Sequence, residues 1–566
     1  MSIQKQLGKQ ILVIADPRTG IAKTIESASN APSFFLNVES PEKVVAAYQA
    51  FADSGADIIL TNTAGALRPV FQQIGRENLV EAVNVRGAEI ARKCAGDTAS
   101  VAGHIQTIGL KIEPFGEIGF DSAVRIYSEQ IQFLMSAGID LLVIDSLHAV
   151  QEMRAAVIAA NSLRNAIPLA VFSKFDSDGN TDDGLTVESF ATILDGLQVD
   201  SIGILQNSPN KSIFRRLTNS TNRPVSVRFL PEVGDEIEKS SAAFAELGAA
   251  MVGAEIPEQV HAIASAVRGR EIVRTPKPKL RLPLRIANRS RVISIGDGLP
   301  FVKIGERINP TGRKVLAAGI RDGNFDLLLK DAIAQAESGA DALDVNVGIP
   351  MIDEPATMKS VVSEIQRAVS IPLVLDSAAA NVLESGLKVY AGKALVNSVN
   401  GKRKRLEEVL PIVKKYGAAV IALTIDETIP ETAEERLAIA RTILKACDEF
   451  KIPKENIIVD VAAMAIASSD KSGIPVLKAI QLVRQELGLP VSLGISNTSF
   501  GLPERILVHS AFLIQAIAMG LDAAILNPLE PQIHEQIAAA SLFVGRDPDC
   551  RNYLKAYRAK KQTTQD

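Results

Sequence analysis

Residues 338–346 read SGADALDVN: a glycine, a small residue, an aspartate, then a short apolar run that closes on a polar group. Glycine stops a helix in the left-handed conformation, and a run of about four to six aliphatics suits a strand buried on both faces. The phrase recurs as SGADIILTNT at 54–63, AGIDLLVIDS at 137–146, LGAAMVGAE at 247–255, YGAAVIALT at 416–424 and MGLDAAILN at 519–527. Each copy is the joint between a helix and the next strand. Sustained alternation of this kind predicts an α/β fold with parallel sheet, either barrel or doubly wound.

Counting strands chooses between the two. From residue 302 onward, eight candidates fall at 302–309, 341–348, 373–377, 394–399, 419–425, 457–462, 491–497 and 523–528, each followed by a helix-length segment. This matches the roughly 250 residues of a (β/α)8 barrel, and no Gly-x-Gly-x-x-Gly follows a first strand to favour a dinucleotide fold. The first half repeats the pattern more loosely, with strands expected at 11–15, 58–61, 101–103, 141–144, 169–172, 201–204, 225–229 and 250–252. The expectation is two (β/α)8 TIM-type barrels in tandem. Residues 1–267 form the first and 296–566, ending in a helix, the second. Between them, 268–295 is a basic, Pro-containing linker with Pro276, Pro278 and Pro283, read as a solvated strap or a docking patch for an acidic partner.

Composition narrows the function classes. The 566 residues are 47% hydrophobic and only 4% aromatic, with no Trp, as suits many aliphatic parallel strands. A net charge of −4 leaves no global footprint for nucleic acid. Cys94, Cys447 and Cys550 make no C-x-x-C, so neither a disulfide framework nor a zinc site follows from spacing. No membrane-length apolar run and no signal-type N-terminus occurs, and the reading is cytoplasmic.

The second half concentrates polar residues where its strands end. FVKIGERIN at 301–309 runs from apolar residues into Glu306, Arg307 and Asn309. The other strand ends carry Asp344, Asn346, Asp376, Asn397, Thr424, Asp426, Asp460, Asn497 and Asn527. Asp and Asn cap helices well, so any one of them has a bland explanation. A whole ring of them at the C-terminal face of a barrel reads as a site. Carboxylates and amides without a His or Cys cluster suit a heteroaromatic ring with amide-like edges, such as a pterin.

The motifs GERIN (305–309), LDVNVG (343–348), LDS (375–377), VNSVN (396–400), VD (459–460) and LGISNTSFGLPER (493–505) closely resemble the pterin-binding barrels of methyltetrahydrofolate:corrinoid methyltransferases. The same domain occurs within cobalamin-dependent methionine synthase. The resemblance spans about residues 300–540. It implies that Asp376, Asn397, Asp460 and Asn497 hold the pterin, with Glu306, Asp344 and Asn346 in the surrounding polar network. Asn309 and Ser377 are counted with the same substrate-binding set. After Asp460 the family has DPG or DPL, whereas this chain reads DVAAMAIASS, a local departure. The implied reaction moves a methyl group between methyltetrahydrofolate and cobalt. N5 of tetrahydrofolate is a poor leaving group, and Asn497 is the expected catalytic residue nearest to it.

LTNTAGA (60–66), VIDSLHAVQEMRAAVIAA (143–160) and FDSDGN (175–180) resemble, more distantly, the homocysteine-binding barrel of the same methionine synthases. That barrel holds zinc with three cysteines in N-C-S and G-G-C-C-G segments. The corresponding stretches here read LQNSPNKS (205–212) and MVGAEIPEQV (251–260), without thiols. No zinc or other metal is therefore expected. His104, His148, Asp145 and Glu255 are the residues from which a different metal site would be built, and Asp145 is the best first-barrel candidate for an altered ligand site. No corrinoid-binding Asp-x-His-x-x-Gly motif occurs, so the corrinoid is expected on a partner protein docking over the second barrel. The resulting expectation is a methyltransferase acting between methyltetrahydrofolate and a separate corrinoid protein. The alternatives are a methionine synthase module with unconventional homocysteine activation, a dihydropteroate synthase relative, or a non-catalytic folate-binding module. The direction of transfer stays open, as does a homodimer.

Overall fold

The computed structural model describes residues 3–22, 32–145, 149–270, 272, 283–468 and 473–563. The chain divides into two compact units, 1–280 and 281–566. In the first, eight strands close into a parallel barrel in chain order: β1 (Leu12–Ala15), β2 (Ile58–Leu60), β3 (Ser100–Ile105), β4 (Leu141–Ile144), β5 (Leu169–Lys174), β6 (Ser201–Gln206), β7 (Val225–Phe229) and β8 (Met251–Ala254). Short aliphatic runs such as Leu12–Ala15 and Leu141–Ile144 are buried throughout, as helices outside and side chains inside require. Leu12, Ile14, Ile58, Leu60, Leu141 and Val143 fill the barrel, with Ile3 packed among them.

The second unit opens with an antiparallel hairpin, β9 (Leu284–Ala287) and β10 (Val292–Ile295). The second closed barrel follows: β11 (Val302–Ile308), β12 (Ala342–Asn346), β13 (Leu373–Asp376), β14 (Leu395–Val399), β15 (Ala419–Leu423), β16 (Ile457–Asp460), β17 (Val491–Gly494) and β18 (Ala523–Leu526). The six recurring joint glycines, Gly55, Gly138, Gly248, Gly339, Gly417 and Gly520, all have positive φ. Gly417, with φ 66° and ψ 24°, caps the helix Arg403–Tyr416 in the left-handed region.

The hairpin lies within the stretch expected as linker. Leu284, Ile286, Ile293 and Ile295 alternate inward and pack on Val302, Ile304, Val374, Leu395 and Ile421, closing the N-terminal end of the barrel. Asn288 shapes the turn by accepting hydrogen bonds from the Ser290 and Arg291 N–H groups at 3.0 and 2.7 Å. Tyr390 Oη donates to the Ala287 carbonyl at 3.0 Å and ties the hairpin to the barrel. Basic residues and Pro283 mask the period-2 apolar pattern, which is why the segment reads as a strap. Most of 271–282 lies outside the described residues. The C-terminal segment forms the helix Arg551–Thr563. Among the described residues no helix is long and apolar enough to cross a membrane.

Candidate functional site

Alternate residues of a strand share a face, so the inward aliphatics at a barrel's base determine what faces inward at its top. In the second barrel Val302 and Ile304 lead to Glu306, Ala342 to Asp344 and Asn346, Val374 to Asp376, Leu395 to Asn397, and Ile458 to Asp460. Strand register agrees, setting Asn346 beside Asp376, Asp376 beside Asn397, and Asp460 beside Ser492. Thr424 follows Leu423, the register partner of Asp460, and so falls on the opposite face.

These side chains bind one another. Asn346 Nδ2 donates to Asp376 Oδ2 at 2.9 Å, and Asn397 Nδ2 donates to Asp344 Oδ1 at 3.1 Å. The Gly348 N–H donates to Asn346 Oδ1 at 2.8 Å, which turns the amide's NH2 group toward Asp376. Ser496 Oγ donates to Glu306 Oε1 at 2.9 Å, and the Ala462 N–H donates to Asp460 Oδ1 at 2.8 Å.

Cations are scarce in this layer. Among the described residues Glu306, Asp344, Asp376 and Asp460 make no ion pair. Burial pushes the Asp460 carboxyl up to about 7. Burial and the neighbouring Asp376 charge raise Asp344 well above the carboxylate range. Burial also raises Asp376, against the Asn346 hydrogen bond and the charge of Arg405, and raises Glu306 against Ser496 and two arginines. The layer is a buried set of acceptors short of donors. A planar heterocycle with N–H and amino edges supplies them.

The remaining expected residues sit around this layer. Asn497 lies in the 3-10 turn Ile495–Ser499, exposed at the rim, and its side chain makes no hydrogen bond among the described residues. Its Nδ2 would lie 2.9 Å from a Cβ on Gly494, so the glycine leaves room for the amide. Ser377 Oγ donates to Glu354 Oε1 at 2.9 Å and accepts from the Ala379 N–H at 3.1 Å, bracing its loop. Asn309 accepts from the Thr311 N–H at 3.0 Å in the turn after β11. Asn527 accepts from the Leu529 N–H at 3.2 Å as a loop cap, and Asp426 is exposed.

Sequence reasoning missed the supports. Arg405, in a basic run that reads as a solvated face, donates to the carbonyls of Ser377, Ala378 and Ser398 at 2.8, 2.6 and 2.8 Å. It thereby clamps the ends of β13 and β14, which carry Asp376 and Asn397. Arg505 donates to the Ser496 carbonyl at 2.8 Å and to Ser499 Oγ at 3.2 Å, and His509 Nδ1 lies 3.0 Å from the same hydroxyl. These hold the turn that presents Asn497. After Asp460, Ala462 takes φ 56°, and buried Arg436 donates to the Val461 carbonyl at 2.8 Å, fixing the departing loop. Around the mouth, the segments after β11, β12, β16 and β17 expose Val315, Met351, Ile474, Phe500 and Leu507.

The first barrel applies the same alternation to different chemistry. Ile14 leads inward to Asp16, Ala102 to His104 and Val143 to Asp145; Arg228 and Glu255 join from β7 and the end of β8. Asp16, His104, Asp145 and Arg228 are all at most 1% exposed. Arg228 bridges Asp16 and Asp145 through its two terminal nitrogens. Arg18 Nη2 reaches Asp16 Oδ2 at 2.7 Å and Glu255 Oε1 at 3.3 Å, and Thr19 Oγ1 donates to Glu255 Oε2 at 2.6 Å. His104 Nε2 lies 2.7 Å from Asp145 Oδ2, and Gln106 Nε2 donates to Asp145 Oδ1 at 2.6 Å. Burial would raise Asp16 and Asp145, but the adjoining cationic groups hold both below the usual carboxylate range. Burial lowers His104, and burial with the Asp16 charge raises Glu255. Asp145 was expected here. Asp16, Arg18 and Arg228 were not, and His148 lies outside the described residues.

One barrel therefore ends in a charge-paired cluster and the other in a layer of hydrogen-bond acceptors. Residues 11–266 match the homocysteine S-methyltransferase family and residues 305–527 the pterin binding enzyme family. The chain thus joins a homocysteine S-methyltransferase domain to a pterin-binding domain. It is 26% identical over 536 residues to a methionine synthase of Mycobacterium tuberculosis, an alignment covering 87% of this chain and 45% of that protein. A methionine synthase of Mycobacterium leprae is 27% identical over 542 residues, covering 87% and 44%. The chain spans about half the length of these curated relatives. Among solved structures, the homocysteine methyltransferase MmuM of Escherichia coli, in its metallated form, aligns at TM-score 0.41 and 19% identity over 45% of this chain and 96% of its own.

Proposed function

We propose that the second barrel binds methyltetrahydrofolate and transfers its methyl group to or from the cobalt of a corrinoid carried by a separate protein. The observation that carries this reading is the layer of buried Asp344 and Asp460 and half-buried Asp376, which make no ion pair among the described residues and whose carboxyls burial raises above the ordinary range, Asp460 to about 7. A pterin's amino-pyrimidinone edge offers the N–H donors such carboxyls lack, and the Asn346 and Asn397 amides add further donors and acceptors. On this reading the reactive N5 faces the rim turn Ile495–Ser499, where the Asn497 amide makes no hydrogen bond among the described residues.

When the methyl–N5 bond breaks, the electron pair stays on N5, and a hydrogen bond or proton reaching that nitrogen lowers the barrier. On this reading Asn497 donates that hydrogen bond, and Asp376, Asn397 and Asp460 fix the ring for in-line transfer. Reduced corrinoid cobalt supplies the nucleophile. The exposed apolar side chains ringing the mouth, Met351, Phe500 and Leu507 among them, suit a protein that brings it there. The first barrel, on this reading, works without zinc and has an altered or structural role. The likeness to methionine synthases also supports a second reading, a methyl transfer that ends on homocysteine.

Mixing the protein with methyltetrahydrofolate and free cob(I)alamin, and following the cobalt spectrum, tests the proposal. Methyl–cobalt formation that is lost in Asn497→Ala supports it. No methylation by the wild type refutes it, and turnover that requires homocysteine favours the second reading.

A further inference from the structure

The homocysteine S-methyltransferase match raises the question of a metal in the first barrel, and the donor set answers it. The strands that would supply thiols end in Gln206 and in Ala254 followed by Glu255. Cys94 and Cys447 lie within the helices Val80–Ala95 and Ala433–Glu449, and Cys550 ends the 3-10 turn Pro548–Cys550 of the second unit. Among the described residues one set has metal-like spacing: donor atoms of Asp16, His104 and Asp145 lie within 4.8 Å of one another, all buried. Two carboxylates and an imidazole are ample for a divalent ion.

These groups are already committed. Arg228, itself 1% exposed, places one terminal nitrogen on Asp145 and the other on Asp16. Its guanidinium lies against the Phe172 ring, 5.5 Å from the centroid. Arg18 adds a second cation, with Nε 2.9 Å and Nη2 2.7 Å from Asp16 Oδ2 and Nη2 3.9 Å from Asp145 Oδ2. Two carboxylates thus face two guanidiniums. A divalent ion entering between Asp16 and Asp145 would have to expel Arg228 into an apolar interior, leaving a buried charge unpaired. Among the described residues two buried atoms, His104 Nδ1 and Arg228 Nε, have no hydrogen-bond partner, so charge pairing rather than full hydrogen bonding holds the cluster.

We propose that Arg228 acts as a built-in cation in the first barrel, occupying the place between Asp16, His104 and Asp145 that a divalent metal would otherwise take. The residues present do not fit a resident zinc, and the barrel's mouth is closed by charge from within. This proposal does not depend on folate or corrinoid chemistry, and its test uses neither.

The experiment compares the full-length wild type, Arg228→Ala and the double variant Arg228→Ala/Asp145→Asn, each dialysed against chelator and then titrated with Zn2+. Bound metal is read by elemental analysis and unfolding by calorimetry. The wild type is expected to retain no stoichiometric zinc and to show no zinc-dependent rise in unfolding temperature. Arg228→Ala leaves two carboxylates and an imidazole with less counter-charge. It is expected to take up about one zinc per chain, on the order of 100-fold or more tighter than the wild type, with a raised first-barrel transition. The double variant should lose that uptake. If Arg228→Ala folds poorly alone, zinc is expected to restore its folding. Stoichiometric zinc in the wild type overturns the proposal, and so does an Arg228→Ala chain that neither binds zinc nor is stabilised by it.

Discussion

Replacing Asp460 by asparagine removes one buried proton-binding group from the second barrel's polar layer. Asp460 is 7% exposed and accepts one hydrogen bond, from the Ala462 N–H at 2.8 Å, which an asparagine Oδ1 can also accept. Burial raises its carboxyl from 3.8 to about 7. The unfolded chain ionises the group near its ordinary value, so between about pH 4 and pH 7 the native state holds a proton that the unfolded state has released. Native stability is greatest below the unfolded value and falls by about 1.4 kcal/mol per pH unit until the folded group ionises. The accumulated difference is about 4 kcal/mol, worth roughly 5–10 °C in the barrel's unfolding temperature. Calorimetry from pH 5 to pH 8 reads the part that accumulates above pH 5, about 3 kcal/mol. Asp460→Asn should gain on the wild type as pH rises to about 7 and level off above it, while Asp344, Asp376 and Glu306 keep a slope of their own. A difference between the two proteins that stays constant across this range refutes the reasoning.

If the proposed site binds folate, Asp376→Asn and Asn397→Ala should each weaken that binding about tenfold or more by isothermal titration, because on that reading each alters a group that orients the ring. Arg405→Met releases three carbonyls at the ends of β13 and β14; it should raise the folate dissociation constant roughly tenfold while leaving first-barrel unfolding unchanged. Ala462→Gly relieves a side chain held at φ 56° and should stabilise the second barrel by about 1 kcal/mol in denaturant titration. Cys447, whose buried thiol is pushed up to about 12, should resist thiol reagents until unfolding, whereas exposed Cys550 should react at once.

Both barrels were legible because their evidence is local. A helix, a left-handed glycine and an aliphatic run occupy adjacent residues, and all sixteen expected strands coincide with observed ones. Glu306, Asp344, Asp376, Asn397 and Asp460 were legible as a ring for the same reason: the strand that carries each also sets its direction. What escaped was pairing across distance. Arg228 meets Asp145 and Asp16 across separations of 83 and 212 residues, and in VSVRF it reads as an ordinary charged strand residue. Arg405 sits in KRKRLEE, where one arginine turned inward is indistinguishable from its solvated neighbours. The hairpin Leu284–Ile295 was hidden by the basic and Pro-rich composition on its N-terminal side, although its alternation and Asn288 turn are regular.

Titration of methyltetrahydrofolate into the full chain by calorimetry, in buffers of differing ionisation enthalpy at pH 7, bears most directly on the second barrel as a pterin site. One folate should bind per chain with release of protons, because N–H donors from the ring favour the ionised forms of carboxyls whose proton affinity burial raises, Asp460 to about 7, and Asp460→Asn should reduce that release. No binding, or binding without proton release that Asp376→Asn and Asp460→Asn leave unaltered, contradicts the account.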